Sequence, residues 1–151
     1  MVDSRCTSSL LVCRTQARAC ALPIEHVGEI MRPLPVERLP GVPPYILGLA
    51  LIRGVATPVV DLAGLLGQVE SHIARFVTIK VAGRPLALAV AQVHGIVVVA
   101  HETLAALPSL MRDVGADLIE SISVRDAALL LVLDGARLLP VGALPQLEAA
   151  S

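Results

Sequence analysis

Aromatic residues are almost missing from this chain: one Tyr, one Phe and no Trp stand among 151 residues. A core must then be aliphatic, and surfaces that stack on bases, sugars or flavins are excluded. Concentrated basic charge is missing too. Twelve basic and thirteen acidic side chains leave a net charge of -1, and no cluster supplies what phosphate backbones require, so nucleic acid is not the main partner. Cysteine is scarce: Cys6, Cys13 and Cys20 recur every seven residues, a spacing that builds no zinc site and no Cys-x-x-Cys pair. They read as thiols in a reducing cytoplasm. Long apolar runs are missing as well. Leu10 to Val12 is too short for a signal peptide's apolar region. The block from Pro85 to Ala100 is broken by Gln92, His94 and Gly95 and falls short of a bilayer span. A soluble protein without membrane insertion is expected. Catalytic signals are equally thin. No Gly-rich phosphate loop occurs, and His72, His94 and His101 fit no metal spacing, so neither cofactor nor metal is expected. Cys13 or Cys20 with His26 would be the material for a hydrolase, but nothing marks an orienting carboxylate or an oxyanion site. A binding module ranks above it.

What the chain does have is aliphatic content. With 55% hydrophobic and 17% charged residues, it can bury a sizeable core and is not disordered. Short apolar runs are punctuated by Gly and Pro, which predicts strands. These are expected at Leu10 to Thr15, Ala19 to Ile24, on both sides of Arg53-Gly54, at Arg75 to Val81, from Pro85, at Ile96 to Val99, and in a hairpin across Arg125-Asp126. His26 to Met31 fits a helical turn or a strand extension equally well. Four prolines between Leu34 and Pro44 predict an extended connection. Leu62 to Leu66 reads as one helical turn stopped by Gly67, and Ser109 to Leu118 as irregular or weakly helical. Residues 1–8 are expected to fray, and 141–151 to form a tail.

The organising stretch is Ile46 to Leu62, ILGLALIRGVATPVVDL. Arg53 is its one charge before Asp61, placed beside the freely turning Gly54. An isolated charge in such surroundings either points into water at a turn or has a partner.

A second copy of the pattern follows. Ala21, Leu22, Ile24, Val27 and Ile30 match Ala87, Leu88, Val90, Val93 and Ile96 at an offset of 66. Val60, Asp61, Leu65 and Leu66 match Leu133, Asp134, Leu138 and Leu139 at an offset of 73. Two units of about five short strands, each too small to fold well alone, predict a mainly β protein of small barrels.

The segments ALPIEHVGEI and YILGLALIRGVATPVVDLAGLLG resemble the first half of the CheW-like domain. That family comprises coupling proteins that join chemoreceptors to a histidine kinase in bacterial chemotaxis. The resemblance spans residues 9–140. It implies two intertwined five-stranded SH3-like barrels with short helical turns, the first mostly within 19–67 and the second mostly within 75–139, with strands exchanged between them. The second half departs from the family pattern: Ala91 and Gln92 stand where an acidic residue and a Gly are usual, Gly95 replaces a later acidic residue, and Ser121 a strand glycine. By resemblance, Glu29 and Arg53 pair close to a partner-binding surface, with Val27, Ile30 and Gly54 beside them. The implied role is a non-catalytic, cytoplasmic adaptor. One barrel end would dock on the kinase's regulatory domain, and a groove between barrels would take the helical receptor tip. The same fold would serve an adaptor of twitching or gliding motility.

Overall fold

In the computed structural model residues 7–68, 72–81, 83–101, 104–106, 119–125 and 128–133 are described. The expectations for 1–6, 109–118, Asp126, Asp134 to Leu138 and 141–151 lie outside them, while Thr7 and Ser8, expected to fray with 1–6, are the first residues of a strand. Eleven strands appear among the described residues: β1 (Thr7–Arg14), β2 (Ala19–Pro23), β3 (Val27–Met31), β4 (Ile46–Ile52), β5 (Val55–Asp61), β6 (Arg75–Val81), β7 (Arg84–Val90), β8 (Gln92–Ala100), β9 (Ala105–Ala106), β10 (Ile119–Arg125) and β11 (Ala128–Leu133). One short helix, α1 (Leu62–Leu65), follows β5. The ambiguity at His26 to Met31 resolves into both readings, because a 3₁₀ turn over Ile24–His26 leads directly into β3. The two-residue β9 and the full length of β8, which begins four residues before Ile96, carry no strong sequence signal.

The strands form two sheets, ordered β8-β1-β2-β11-β10-β9 and β3-β6-β7-β5-β4. These sheets cut across the segments 19–67 and 75–139. The hairpin β6–β7 sits inside the sheet otherwise built from β3, β4 and β5, while β1–β2 sits inside the sheet of β8, β10 and β11. Each half lends one hairpin to the other. Leu86, Ala87 and Leu88 of β7 and Cys20, Ala21 and Leu22 of β2 are all almost fully buried, as expected for central strands with both faces covered.

The repeat is exact at the level of register. Val59 pairs with Ala87 in the parallel β5–β7 contact, and Val132 pairs with Ala21 in the parallel β11–β2 contact. The offsets of 73 and 66 carry one pair onto the other. Both copies also share a bulge, between Ile46 and Gly48 on β4 and between Ile119 and Ser121 on β10. One core cluster is built on the aliphatic Leu11, Leu22, Val60, Leu62, Val77, Leu88 and Leu133 with their neighbours, and the single Phe76 is buried in another with Ala50, Ile52, Val59, Ala87 and Ala89; close packing is reached almost wholly with aliphatic side chains.

The proline-rich connection, expected to be extended from Leu34 to Pro44, has no turn as far as Leu39 and then turns at Pro40-Gly41 and at Pro44-Tyr45; its first part has a specific task. Glu37 and Leu49 exchange two backbone hydrogen bonds of 2.8 Å, so the connection covers part of the outer strand β4 and leaves less open edge. Gly48 makes this approach possible: its φ is +141°, and a Cβ there would stand 2.0 Å from the Glu37 carbonyl oxygen.

Candidate functional site

The two charges singled out from sequence meet. Arg53 Nε donates to Glu29 Oε2 at 2.9 Å. Glu29 lies on β3 and Arg53 in the turn between β4 and β5, and β3 and β4 are the two outer strands of their sheet. The ion pair therefore spans the open side of a curved five-stranded sheet.

Each side chain is aimed by its local backbone. Ile52 pairs with Val55, which leaves Arg53-Gly54 as a two-residue hairpin loop. Both loop residues have positive φ, 49° for Arg53 and 78° for Gly54, the arrangement that matches the twist of the flanking strands. Gly54 adopts it freely. Arg53 is the one non-glycine residue with positive φ among the described residues, a position where Asn, Asp or Gly would be less strained. The local preference of the turn therefore does not account for arginine, whereas its ion pair does.

Glu29 is aimed by a β-bulge. Val27 pairs with Ile79 and Ile30 with Val77, so Gly28 and Glu29 together face the single residue Thr78. Thr78 Oγ1 accepts the Glu29 backbone N–H at 2.8 Å and donates to the Glu29 carbonyl at 3.3 Å, satisfying the backbone that the bulge takes out of the ladder. Gly28 leaves room for that hydroxyl, since a Cβ on it would lie 2.6 Å from Thr78 Oγ1. Thr78 and Gly28 belong to the site, and sequence reasoning singled out neither.

The pair is exposed: the Arg53 side chain is 78% accessible and that of Glu29 39%. The hydrogen bond to Glu29, then its charge, holds the guanidinium above its ordinary pKa, but such surface pairs add little to stability. Apolar side chains lie close by in the chain. Ile30 is 45% exposed, and Leu51 and Val55, two residues to either side of Arg53, are 70% and 49% exposed. Val27 is partly buried and packs on the core. A charged pair beside exposed aliphatic groups has the composition of a protein-docking surface. The offset of 66 carries Ile30 onto Ile96, which is also exposed, but carries Glu29 onto Gly95; the charge has no counterpart there.

The hydrolase arrangement is absent among the described residues. Cys13 and Cys20 face each other across β1 and β2, and both are buried free thiols. Burial pushes each thiol up to about 12, the reverse of what a nucleophile needs. His26 lies near Glu25, 3.9 Å away, with a half-exposed side chain. Among the described residues no three His, Cys, Asp or Glu side chains converge to hold a metal, and no helix is long and apolar enough to cross a membrane.

The CheW-like domain family matches residues 9–142. No curated protein matches by sequence comparison. Among solved structures, the chain is similar to the scaffolding protein TtCheW from Thermoanaerobacter tengcongensis, with a TM-score of 0.79 at 19% sequence identity. The match covers 90% of this chain and 94% of that one.

Proposed function

The chain belongs to the CheW-like domain family, and from that premise we propose that it is a non-catalytic adaptor that couples chemoreceptors to a chemotaxis-type histidine kinase. The observation that carries this reading is the Glu29–Arg53 pair, held across the open side of one sheet by a strained turn and a bulge. Two backbone irregularities converge on one exposed ion pair that contributes little to folding. Orientation of a partner is the use such a pair serves. Ile30 and Leu51, which the register places on the same face of the sheet, would supply apolar area, with Arg53 and Glu29 fixing register at its edge. The regulatory domain of the kinase is the partner for this surface, and the helical receptor tip would engage a separate groove. Signal would pass by a change of packing among the three proteins, with no bond made or broken in this chain.

The test uses Arg53→Asn, because Asn tolerates the left-handed turn that Ala does not. The variant should melt at or slightly above the temperature of the parent protein. Calorimetric titration with the kinase regulatory domain should show affinity weakened about tenfold, as for loss of a hydrogen-bonded charge at an interface. Exchanging the charges, with Glu29→Arg and Arg53→Glu together, should restore part of the loss in a double-mutant cycle. Unchanged affinity in folded Arg53→Asn would end the assignment of this surface.

A further inference from the structure

Where β7 passes into β8 at Ala91, the chain crosses from one sheet to the other, and an open cleft of about 950 Å³ lies at that crossing. Arg14 and Thr15 line it from the end of β1, His72 and Arg75 from the entry to β6, and Gln92 and His94 from the start of β8. The register explains why two arginines line it. Arg14 pairs with Gln92 in β1–β8, and Arg75 pairs with Val90 in β6–β7, so they approach Ala91 from the two sheets. Backbone hydrogen bonds tie the walls together: Ala91 N–H donates to the Arg14 carbonyl and Ala74 N–H to the Val90 carbonyl, each at 2.9 Å.

No carboxylate lines the cleft among the described residues, and neither arginine enters an ion pair with any of them. Arg75 donates from Nη1 to the Ala74 carbonyl at 2.7 Å, and its remaining side-chain donors have no partner among the described residues. Arg14 is half-buried, and no ion pair with a described acid occupies its guanidinium. His94 shares a hydrogen bond of 3.0 Å with Gln92, which sets both side chains on the same rim. Guanidinium forks match the oxygens of phosphate and carboxylate groups in a paired, planar geometry. The cleft has the size of small-molecule sites.

We propose that this cleft binds a small polyanion, a molecule with two or more phosphate or carboxylate groups, bridged between Arg14 and Arg75. It is separate from the Glu29–Arg53 surface, and its occupancy does not depend on the adaptor reading. Because its walls come from both sheets, a bound anion would brace their junction.

Titration of the ¹⁵N-labelled full chain with pyrophosphate and, separately, with citrate tests this at about 0.15 M ionic strength. At least one should give saturable shifts confined to the amides around Thr15, Arg75, Gln92 and His94; which one binds distinguishes phosphate from carboxylate ligands. Gln92→Glu places a carboxylate on the exposed rim without disturbing the core, and should weaken binding about tenfold or more. Arg14→Gln with Arg75→Gln should do the same, while Arg32→Gln, outside the cleft, should change nothing. Saturation by neither anion, undiminished binding in Gln92→Glu, or binding of an oligoglutamate peptide alone would overturn the proposal.

Discussion

Thr78 shows how much a single hydroxyl can decide. It closes the bulge that aims Glu29, by accepting one backbone hydrogen bond and donating another. Thr78→Val conserves shape and removes both, leaving the Glu29 N–H without its partner. The expected cost is about 1 kcal/mol, the net worth of a hydrogen bond to a donor that is only part-buried, read from urea unfolding. Affinity for the kinase regulatory domain should fall as well, and Thr78→Ser should recover both. Gly48 is constrained for a different reason. Gly48→Ala adds a Cβ against the Glu37 carbonyl at a backbone angle that L-residues rarely adopt. Strain of this kind costs about 1–3 kcal/mol before the clash is counted. The urea midpoint should fall and the 34–44 connection should lift from β4, read as faster amide exchange at Leu49.

The hairpin of β1 and β2 carries its own pH dependence. Thr15 Oγ1 accepts the backbone N–H of Ala17 at 3.3 Å and of Arg18 at 3.0 Å, which closes the turn and sets Cys13 opposite Cys20. Both thiols are raised from 9.0 to about 12, chiefly by burial. Above pH 9 the unfolded chain releases these protons while the folded chain keeps them, so rising pH favours unfolding. The stabilisation is full below pH 9 and is lost progressively up to about pH 12. Each thiol contributes a slope of about 1.4 kcal/mol per pH unit within that window. Urea midpoints measured across it should fall steeply for the parent protein and less steeply for Cys13→Ala with Cys20→Ala. Equal slopes would show that the thiols ionise without unfolding. Alkylation of the native protein should be slow at these two positions at neutral pH.

Across the whole molecule, the exchange of hairpins joins the two sheets into one cooperative object. A chain ending at residue 67 would keep β3, β4 and β5 but lose β6 and β7 from the middle of their sheet, and it would leave β1 and β2 without β8 and β11. Such a fragment should show no cooperative urea transition, whereas the full chain should unfold in one step with coincident circular dichroism and Tyr45 fluorescence. A cooperative fragment would show that the halves fold independently. The strands themselves were legible in the sequence, because alternation of aliphatic residues with Gly and Pro is a local property. So were the two-fold repeat, the aliphatic core and the isolated arginine, each visible as composition or spacing. The family resemblance in 9–140 added the Glu29–Arg53 pairing, which no spacing of 24 residues implies by itself. Only tertiary structure decided which hairpin enters which sheet, since parallel contacts such as Val59–Ala87 and Val132–Ala21 join distant residues and leave no periodicity behind. It also decided the tasks of Thr78, Gly28 and Gly48, and the placing of Arg14 and Arg75 on one cleft. Those residues act through neighbours that the fold brings close, and a chain read in order does not show who those neighbours are.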